Sequence, residues 1–207
     1  MSHSNRSERS EPLDAIALDE IIRHRRTFKP PMMSMEPVSD DDLQAILENA
    51  NWAPSHGLTE PWRFKIYRGS ARESLATALG DLYDRLVPEE KKKPGKSDKL
   101  RAMPLLAPVV MLIWMQRQKT EKIAELEEVA AVACAVQNMH LTAASRGLGA
   151  FWSTPPFIYD PGMNQWMGIS EKDRCLGIFY IGHPSDSSRW PTSRRRPVEA
   201  KIEWIDA

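Results

Sequence analysis

The first half of the chain alternates helical hydrophobic patterns with segments that interrupt them. Apolar residues recur at helical spacing over 15–26, 43–51 and 71–86, which predicts three amphipathic helices. Ser39 precedes three consecutive aspartates. This order favours a helix start, because the hydroxyl can accept a hydrogen bond from a free backbone amide and the carboxylates complement the helix dipole. We therefore expect the second helix to run from residue 40 to about Asn51.

The second half combines short apolar runs with one long helical pattern. Residues 109–115 are apolar and rich in strand-forming types, which predicts a central strand that is covered on both faces. The pattern from about Glu121 to Arg146 predicts the longest helix, about 39 Å at roughly 1.5 Å per residue, with an end at Gly147. Further strands are predicted at 150–152, 176–182 and 201–205, and a short helix at 163–167.

The long predicted helix is unusual in its composition. Between Val129 and Ala144 its side chains are apolar or small around most of the circumference, so it must be buried on several sides. In a domain of this size the simplest cover is a second copy of the same helix. We therefore predict a homodimer with this helix at the interface. The alternative is a central helix that is enclosed within one monomer.

Length and element order indicate the class of fold. With 207 residues and 42% hydrophobic content, the chain is expected to form one domain with a substantial core. We assign this domain to residues 13–207 and a flexible polar tail to residues 1–12. Strands and helices are interspersed without an internal repeat. This order is typical of an α+β fold in which helices cover both faces of a modest sheet.

Charge balance and cysteine usage narrow the possible partners and the compartment. Lys plus Arg and Asp plus Glu both total 28, so no net field would attract nucleic acid. No stretch has the roughly 20 apolar residues of a membrane-spanning helix, and the first residues lack the apolar core of a secretory signal. We expect a cytoplasmic protein without a membrane partner. Cys134 and Cys175 are expected to be reduced, packed thiols, and the scattered histidines predict no metal site.

A proline-bounded turn connects the second predicted helix to the first predicted strand. Pro54 and Pro61 disfavour helical backbone at the residues before them, and Gly57 permits a positive φ angle. The alternating run at 62–67 then predicts a strand. A turn that is held at both ends is suited to framing a flat ligand. His56 within it has two open interpretations, a surface residue or a functional one.

Two basic clusters are candidates for binding an anion. Arg25, Arg26 and Thr27, followed by Lys29, place cations and a hydroxyl where a helix is predicted to end. Such a group can hold a phosphate or polarise a carbonyl oxygen through charge-assisted hydrogen bonds. Basic residues at a helix C-terminus can equally complement the helix dipole without binding anything. The second cluster is a run of three arginines at 194–196, for which a solvated surface stretch is the usual explanation.

Several of these segments resemble those of the flavin-dependent nitroreductase family. Residues 53–56 with 61–64 resemble the family's Ala-Pro-Ser...Pro-Trp-x-Phe segment, and residues 25–27 resemble its Arg-Arg-Ser opening. Gly-Leu-Gly at 147–149 resembles the element before a cofactor-contacting turn in the family. The resemblance extends over residues 14–205. It implies a three-layer α+β fold, with a central mixed or antiparallel sheet flanked by helices, and a homodimer with two FMN sites at the subunit interface.

The resemblance also implies roles for individual residues. Arg25 and Thr27 stand where the family grips the FMN phosphate, and Lys29 where it contacts the flavin edge. His56 matches a compact subgroup with an Ala-Pro-x-His loop, in which the histidine approaches FMN. Arg195 is the best match to a second phosphate-binding element near the C-terminus. The full set of cofactor-binding candidates is Arg25, Arg26, Thr27, Lys29, Trp52, His56, Trp152, Ser153, Thr154, Arg194 and Arg195.

The activity that the resemblance implies is that of an FMN-dependent oxidoreductase. Such an enzyme transfers hydride from NADH or NADPH to FMN, and then electrons to a nitroaromatic, a quinone or a similar acceptor, in a ping-pong sequence. Because the cofactor carries this chemistry, no catalytic acid, base or nucleophile is assigned.

Three positions depart from the family pattern. Leu58 replaces a frequent asparagine, Glu60 a usual glutamine, and Ser193 a frequent lysine. These departures keep open a non-catalytic flavin-binding or regulatory protein as the alternative. A third interpretation is oxidative chemistry that consumes the flavin.

Overall fold

The computed structural model describes residues 15–185 and 190–206, so the tail predicted at 1–12 lies outside the described residues. Helices and strands are interspersed along the described chain, as the sequence pattern predicts. In chain order they are α1 (Ala15–His24), α2 (Asp40–Asn51), β1 (Trp62–Arg68), α3 (Ala71–Leu86), α4 (Lys96–Ala102), β2 (Val109–Met115), α5 (Glu125–Ser145), β3 (Gly149–Ser153), α6 (Pro161–Met167) and β4 (Arg174–Gly182).

The four strands form an antiparallel sheet in the order β1-β2-β4-β3. β2 pairs with β1 on one side and with β4 on the other, and six of its seven residues are buried. The prediction of a central strand at 109–115 is therefore confirmed. β3 lies at an edge of the sheet, where a parallel bridge joins Thr27 to Ala150. This bridge places the segment that follows α1 along the outer side of β3.

Helices cover both faces of the sheet and give three layers. On one face, α2 and α5 pack against Met111, Ile113 and Phe179 of the inner strands. On the other face, α3, α4 and α6 pack against Val110 and Leu112. Alternate residues of β2 thus point into opposite cores, which explains its continuous apolar sequence. The three-layer α+β fold that the resemblance implies is confirmed.

The start of α5 is later than the sequence pattern predicts, at Glu125 instead of Glu121. Glu121 has a φ of +50°, and this left-handed backbone conformation does not occur within an α-helix. The other end agrees with the prediction. Gly147 has a φ of +72°, and the backbone amide of Leu148 donates to the carbonyl of Ala143 at 2.9 Å, which closes the helix.

One face of α5 lies in the core, whereas the opposite face is exposed. The buried face includes Val132, Val136 and Met139. The exposed residues include the small or apolar Leu126, Ala130, Ala133 and Cys134, together with the polar Glu127, Gln137 and Ser145. The chain alone therefore does not enclose this helix. Within residues 15–185 and 190–206, no helix combines the length and the apolar character needed to cross a membrane.

Two expectations from the sequence are wrong. Cys175 is buried, and burial raises its pKa to about 12, but Cys134 lies on the exposed face of α5 and is not packed. Its helical position puts it on the side away from the sheet. The predicted strand at 201–205 is also absent, because a 3₁₀ turn at Val198–Lys201 is followed by residues without regular structure. A single strand is not stable without a neighbouring strand to pair with. None of the described strands pairs with residues 201–205.

Candidate functional site

The basic segment after α1 is held against β3 by backbone contacts. The amide of Phe28 donates to the carbonyl of Ala150 at 3.1 Å, next to the bridge that Thr27 makes with the same residue. Gly149 permits this close approach, since a Cβ atom at that position would lie 2.6 Å from the Cβ of Phe28. The segment is therefore fixed in position. Arg25 and Lys29 lie at its two ends.

The C-terminal segment returns to the same place and encloses a small cavity with the end of α1. The cavity has a volume of about 240 Å³ and is lined by Ile22, Arg23, Arg25, Arg26, Ser193 and Arg195. The two basic clusters, which are far apart in the sequence, thus converge. Arg194 is not among the lining residues. Lys29 is exposed beside the segment.

Three of the arginines at this cavity lack negative partners among the described residues, whereas Arg23 pairs with Asp19. Among the described residues, no ion pair involves Arg25, Arg26 or Arg195. Partial burial lowers the pKa of Arg25, and the nearby positive charges of Arg195 and Arg26 lower it further. Arg26 donates to the carbonyls of Arg23 and Arg25, and so braces the end of the helix. An anion at this cavity would relieve the repulsion between the guanidinium groups.

His140 of α5 lies close to this cluster and was not singled out from the sequence. Its ring packs edge-to-face on Phe179, with centroids 4.7 Å apart. Its Nδ1 atom is buried without a hydrogen-bond partner in the described part of the chain. Burial, and then the charge of Arg25, lower the pKa of His140 to about 4. The imidazole is therefore neutral at neutral pH. The only sequence feature that could have drawn attention to His140 is its position within an apolar helical pattern.

The end of β3 and the residue that follows it carry the second group of candidates. The indole Nε1 of Trp152 donates to the carbonyl of Leu176 at 3.0 Å, so this donor is not free for a ligand. The ring covers Gly177, whose φ is +145° and at which a Cβ atom would lie 2.2 Å from that nitrogen. Ser153 is half-buried and Thr154 is exposed. Both lie at the end of β3, on the strand edge that the basic segment follows.

Trp52 and His56 form a third group, which lies elsewhere in the chain. Trp52 caps the C-terminus of α2, is 70% exposed, and donates from Nε1 to Glu48 at 3.1 Å. The Nδ1 atom of His56 contacts the carboxylate of Glu127, in the first turn of α5. Glu127 and His140 are separated by about 20 Å along α5 at roughly 1.5 Å per residue. One chain therefore does not bring His56 to the arginine cavity.

The turn that contains His56 has unusual backbone conformations. Leu58 and Glu60, which replace the family's asparagine and glutamine, have φ angles of +53° and +43°. Such angles are unfavourable for residues other than glycine and asparagine. Leu58 is also 84% exposed. The turn therefore presents an apolar side chain to solvent on a strained backbone.

A larger cavity lies between α6 and the start of β4. It has a volume of about 1010 Å³, and its lining includes Tyr159, Lys172 and Arg174. Both cations are already paired, Lys172 with Glu121 and Arg174 with Glu125. At the smaller cavity, Arg25, Arg26 and Arg195 have no such partner within residues 15–185 and 190–206. The smaller cavity is therefore better suited to an anion.

Comparison with known proteins agrees with this fold. The model of the nitroreductase family matches residues 22–183, which is most of the chain. The chain belongs to the nitroreductase family. This finding confirms the resemblance that the sequence motifs indicate.

Individual relatives match over nearly their full lengths. The Bacillus subtilis protein YfhC, named as a candidate NAD(P)H nitroreductase, is 29% identical over 190 residues, which cover 89% of this chain and 92% of YfhC. A nitroreductase-like family protein from Bacillus cereus is 27% identical with a TM-score of 0.77, and the match covers 92% of this chain and 96% of the other. The FMN-dependent nitroreductase NfnB from Mycobacterium smegmatis, solved with NADPH, has 18% identity and a TM-score of 0.70 over 93% and 99% of the chains. The similarity to NfnB shows only that the folds are alike.

Proposed function

We propose that this protein is an FMN-dependent oxidoreductase that transfers hydride and electrons from NADH or NADPH to a nitroaromatic, a quinone or a similar acceptor. The observation that carries the proposal is the convergence of Arg25 and Arg195 on one cavity. Neither guanidinium is paired with a carboxylate among the described residues. Family membership, relatives named as NAD(P)H nitroreductases, and a structural neighbour solved with NADPH support the same pair of cofactors.

The residues present fit the phosphate end of FMN. A cavity of about 240 Å³ is smaller than the roughly 300–1,000 Å³ of sites that enclose a whole ligand. It therefore suits the phosphate group rather than the flavin ring. The Arg25 and Arg195 guanidinium groups and the Ser193 hydroxyl supply donors for its oxygens. The ring would extend along the edge of β3 towards Ser153 and Thr154.

A homodimer would complete this site. The arginine cavity lies beside the C-terminal half of α5, whereas His56 lies beside its N-terminal end. If two copies pack the exposed faces of α5 against each other in antiparallel fashion, a two-fold axis brings the His56 turn of one copy to the arginine cavity of the other. Trp204 and Ile205 are 80% and 90% exposed, and such apolar residues favour cover by a second copy. We therefore propose two FMN sites at the interface, with Trp52 and His56 donated by the partner.

The protein would position the cofactor and adjust its surroundings. Bound FMN supplies the hydride and electron chemistry. Arg25 and Arg195 would hold the phosphate, and Thr27 would add a hydroxyl donor from the same segment. The ammonium of Lys29 would place positive charge near the ring edge and so stabilise negative charge there. Thr154, in the turn after β3, would offer its backbone amide.

The absorption spectrum of freshly purified protein tests this proposal first. We expect a flavin band, with FMN as the released chromophore, and loss of the band within seconds of anaerobic mixing with NADH or NADPH. Reoxidation by an added nitroaromatic or quinone would complete the cycle. A colourless protein that also fails to bind added FMN would contradict the proposal.

A second candidate is a flavin-binding or regulatory protein without turnover. It is favoured by Leu58, which offers no polar group where many family members carry an amide. The same anaerobic experiment separates the two candidates. A flavin band that persists for minutes in the presence of both nicotinamide cofactors would support the second candidate and reject the enzyme.

We also propose a cytoplasmic location. Cys134 and Cys175 are free thiols, and Cys134 is exposed. Exposed free thiols are typical of reducing compartments, since oxidising ones promote disulfide formation. Cell fractionation tests this proposal, which predicts that the protein follows cytosolic markers.

A further inference from the structure

Trp190 connects the two basic clusters, and neither the family motifs nor the cofactor candidates include it. Its indole Nε1 donates to the carbonyl of His24 at 3.1 Å. Its ring also packs edge-to-face on Phe28, with centroids 4.6 Å apart and planes at 68°. His24 is the last residue of α1, and Phe28 belongs to the segment that follows α1 and carries Arg25. His24 directly precedes this arginine, and Phe28 lies directly before Lys29.

The surface that Trp190 contacts is fixed in position. Phe28 is 1% exposed, and its amide donates to Ala150 of β3 at 3.1 Å. Gly149 lets the Phe28 side chain lie directly against the strand. The indole is therefore attached to a rigid part of the fold. It is not attached to a mobile surface loop.

Beyond Trp190 the chain has few other supports. Residues 192–206 are all exposed. The hydrogen bonds of the Arg195 side chain are local, to the Ser193 hydroxyl and the Arg194 carbonyl. Arg195 also lies close to a like charge, since it lines the same cavity as Arg25. Its positive charge lowers the pKa of Arg25. Without an anchor, this repulsion would favour conformations in which the two arginines are far apart.

A short tether from a fixed indole restricts where Arg195 can lie. Five residue steps separate Trp190 from Arg195, so their Cα atoms lie within about 18 Å even for an extended chain. Restricting the volume that a binding group samples raises its effective concentration at the site. The two contacts of Trp190 therefore reduce the entropy that Arg195 loses when it binds an anion.

We propose that Trp190 is a positioning residue for the phosphate site, which fixes the C-terminal segment to the segment after α1 so that Arg195 faces Arg25. This inference rests on the proposed FMN function and deepens it. It assigns a residue that holds one phosphate-binding arginine in place without itself touching the cofactor.

A double-mutant cycle on FMN affinity tests the inference. Trp190→Leu removes both the indole donor and the ring contact, and we expect it to weaken FMN binding roughly tenfold. In an Arg195→Gln background, the same substitution should have little further effect, because Trp190 acts through Arg195. Fluorescence titration of the four apoproteins with FMN supplies the dissociation constants. A purely structural role would give additive losses.

Two further variants and a second ligand separate the contributions of the hydrogen bond, the ring contact and the phosphate. Trp190→Phe retains an aromatic ring against Phe28 and loses only the hydrogen bond to His24, so an intermediate affinity is expected. Trp166 is a half-buried tryptophan that packs into the core on the α3 and α6 face. Trp166→Leu is therefore the matched control, with FMN affinity unchanged relative to wild type. Riboflavin, which has no phosphate, should bind equally to wild type and Trp190→Leu.

The experiment distinguishes failure of the Trp190 inference from failure of the proposed FMN function. Unchanged FMN affinity in Trp190→Leu, or equal losses in the wild-type and Arg195→Gln backgrounds, would overturn the inference while FMN binding stands. Equal weakening of riboflavin and FMN would also overturn it, because the effect would then not concern the phosphate. If wild-type protein binds no FMN at all, the proposed function fails and this inference fails with it.

Discussion

At the scale of single residues, the chemistry of this protein centres on arginines that lack acidic partners. Some cations elsewhere in the structure pair with carboxylates, as Arg146 does with Asp42. At the cavity beside α1, Arg25 and Arg195 instead face one another. An arrangement that is unfavourable by itself is explained if a ligand supplies the missing negative charge.

Arg25→Gln should weaken FMN binding. Loss of a charge-assisted hydrogen bond to phosphate typically costs about 1.5–3 kcal/mol, so we expect FMN affinity to fall by roughly ten- to a hundredfold. Thermal stability of the apoprotein should be unchanged or slightly higher, since repulsion with Arg195 and Arg26 is relieved. Arg85→Gln, at the exposed C-terminal end of α3, is the control. Equal FMN affinities for both variants and wild type would contradict the role of Arg25.

The stability of the folded chain should depend on pH through His140. Its pKa is about 4 in the folded chain, against about 6.5 for an unperturbed histidine. As pH falls from about 6.5 to about 4, the unfolded chain gains this proton before the folded chain does. The free energy of unfolding should therefore fall over this window, by up to about 3 kcal/mol.

His140→Phe should reduce this acid-dependent loss, because phenylalanine does not titrate. Urea unfolding of the apoprotein at several pH values between 4.5 and 7.5 measures the effect. His24→Gln is the control, since His24 is exposed on α1. Identical pH dependence in wild type and His140→Phe would show that His140 does not cause the loss.

At the scale of secondary-structure elements, a buried ion pair joins the end of β2 to the start of α5. Glu128 is 1% exposed, and its Oε2 atom contacts the Nη1 atom of Arg117. Its other oxygen is buried without a hydrogen-bond partner in the described part of the chain. The backbone amide of Arg117 in turn donates to the buried carboxylate of Asp173 at 2.9 Å. This network fixes where α5 begins relative to the sheet.

Breaking this pair on one side should be costly. Arg117→Met leaves the Glu128 carboxylate buried without a counterion, and such changes destabilise proteins by about 3–5 kcal/mol. The combination of Arg117→Met with Glu128→Leu removes both charges, and it should be less destabilising than the single change. Urea unfolding of wild type, Arg117→Met, Glu128→Leu and the double variant at neutral pH gives the four free energies. A double variant that is as unstable as the sum of the two single variants would argue against a coupled pair.

At the scale of the whole molecule, the exposed face of α5 connects the fold to the proposed function. The helix separates the His56 turn from the arginine cavity by about 20 Å at roughly 1.5 Å per residue, and only a second chain can bring these groups together. Small side chains such as Ala130 and Ala133 permit close approach of another helix at this face. Assembly and cofactor binding should therefore be coupled.

Ala133→Arg tests this coupling. A long charged side chain on the exposed face of α5 should prevent the packing of two copies, and the protein should become monomeric with strongly reduced FMN content. Thr77→Arg, on the exposed side of α3, introduces the same side chain away from α5 and should remain dimeric. Light scattering after size-exclusion chromatography, with the absorption spectrum of the same peak, measures both properties. A monomeric wild-type protein that retains FMN would contradict the interface site.

Much of the fold could be predicted from local sequence patterns. Ser39 was expected to cap the second helix, and its hydroxyl accepts from the amide of Asp42 at 3.0 Å. The alternating run at 62–67 predicts a strand, and β1 spans Trp62–Arg68. The strand at 201–205 was predicted from similar local preferences and is absent, because pairing needs a neighbouring strand that local preferences do not specify. Cys134 was misassigned for a related reason, since an all-round apolar helix pattern does not reveal which face is covered.

The sequence by itself determined most of the elements, the family and the identity of the cationic groups. These depend on residues that are close in the chain, where propensity, capping and spacing act directly. Only the tertiary structure decided that Arg25 and Arg195 line one cavity, that the half-buried His140 lies near them and that Trp190 contacts the end of α1. The physical reason is that each of these relations joins distant segments. It follows from the packing of helices on the sheet and from the burial and charge that this packing creates.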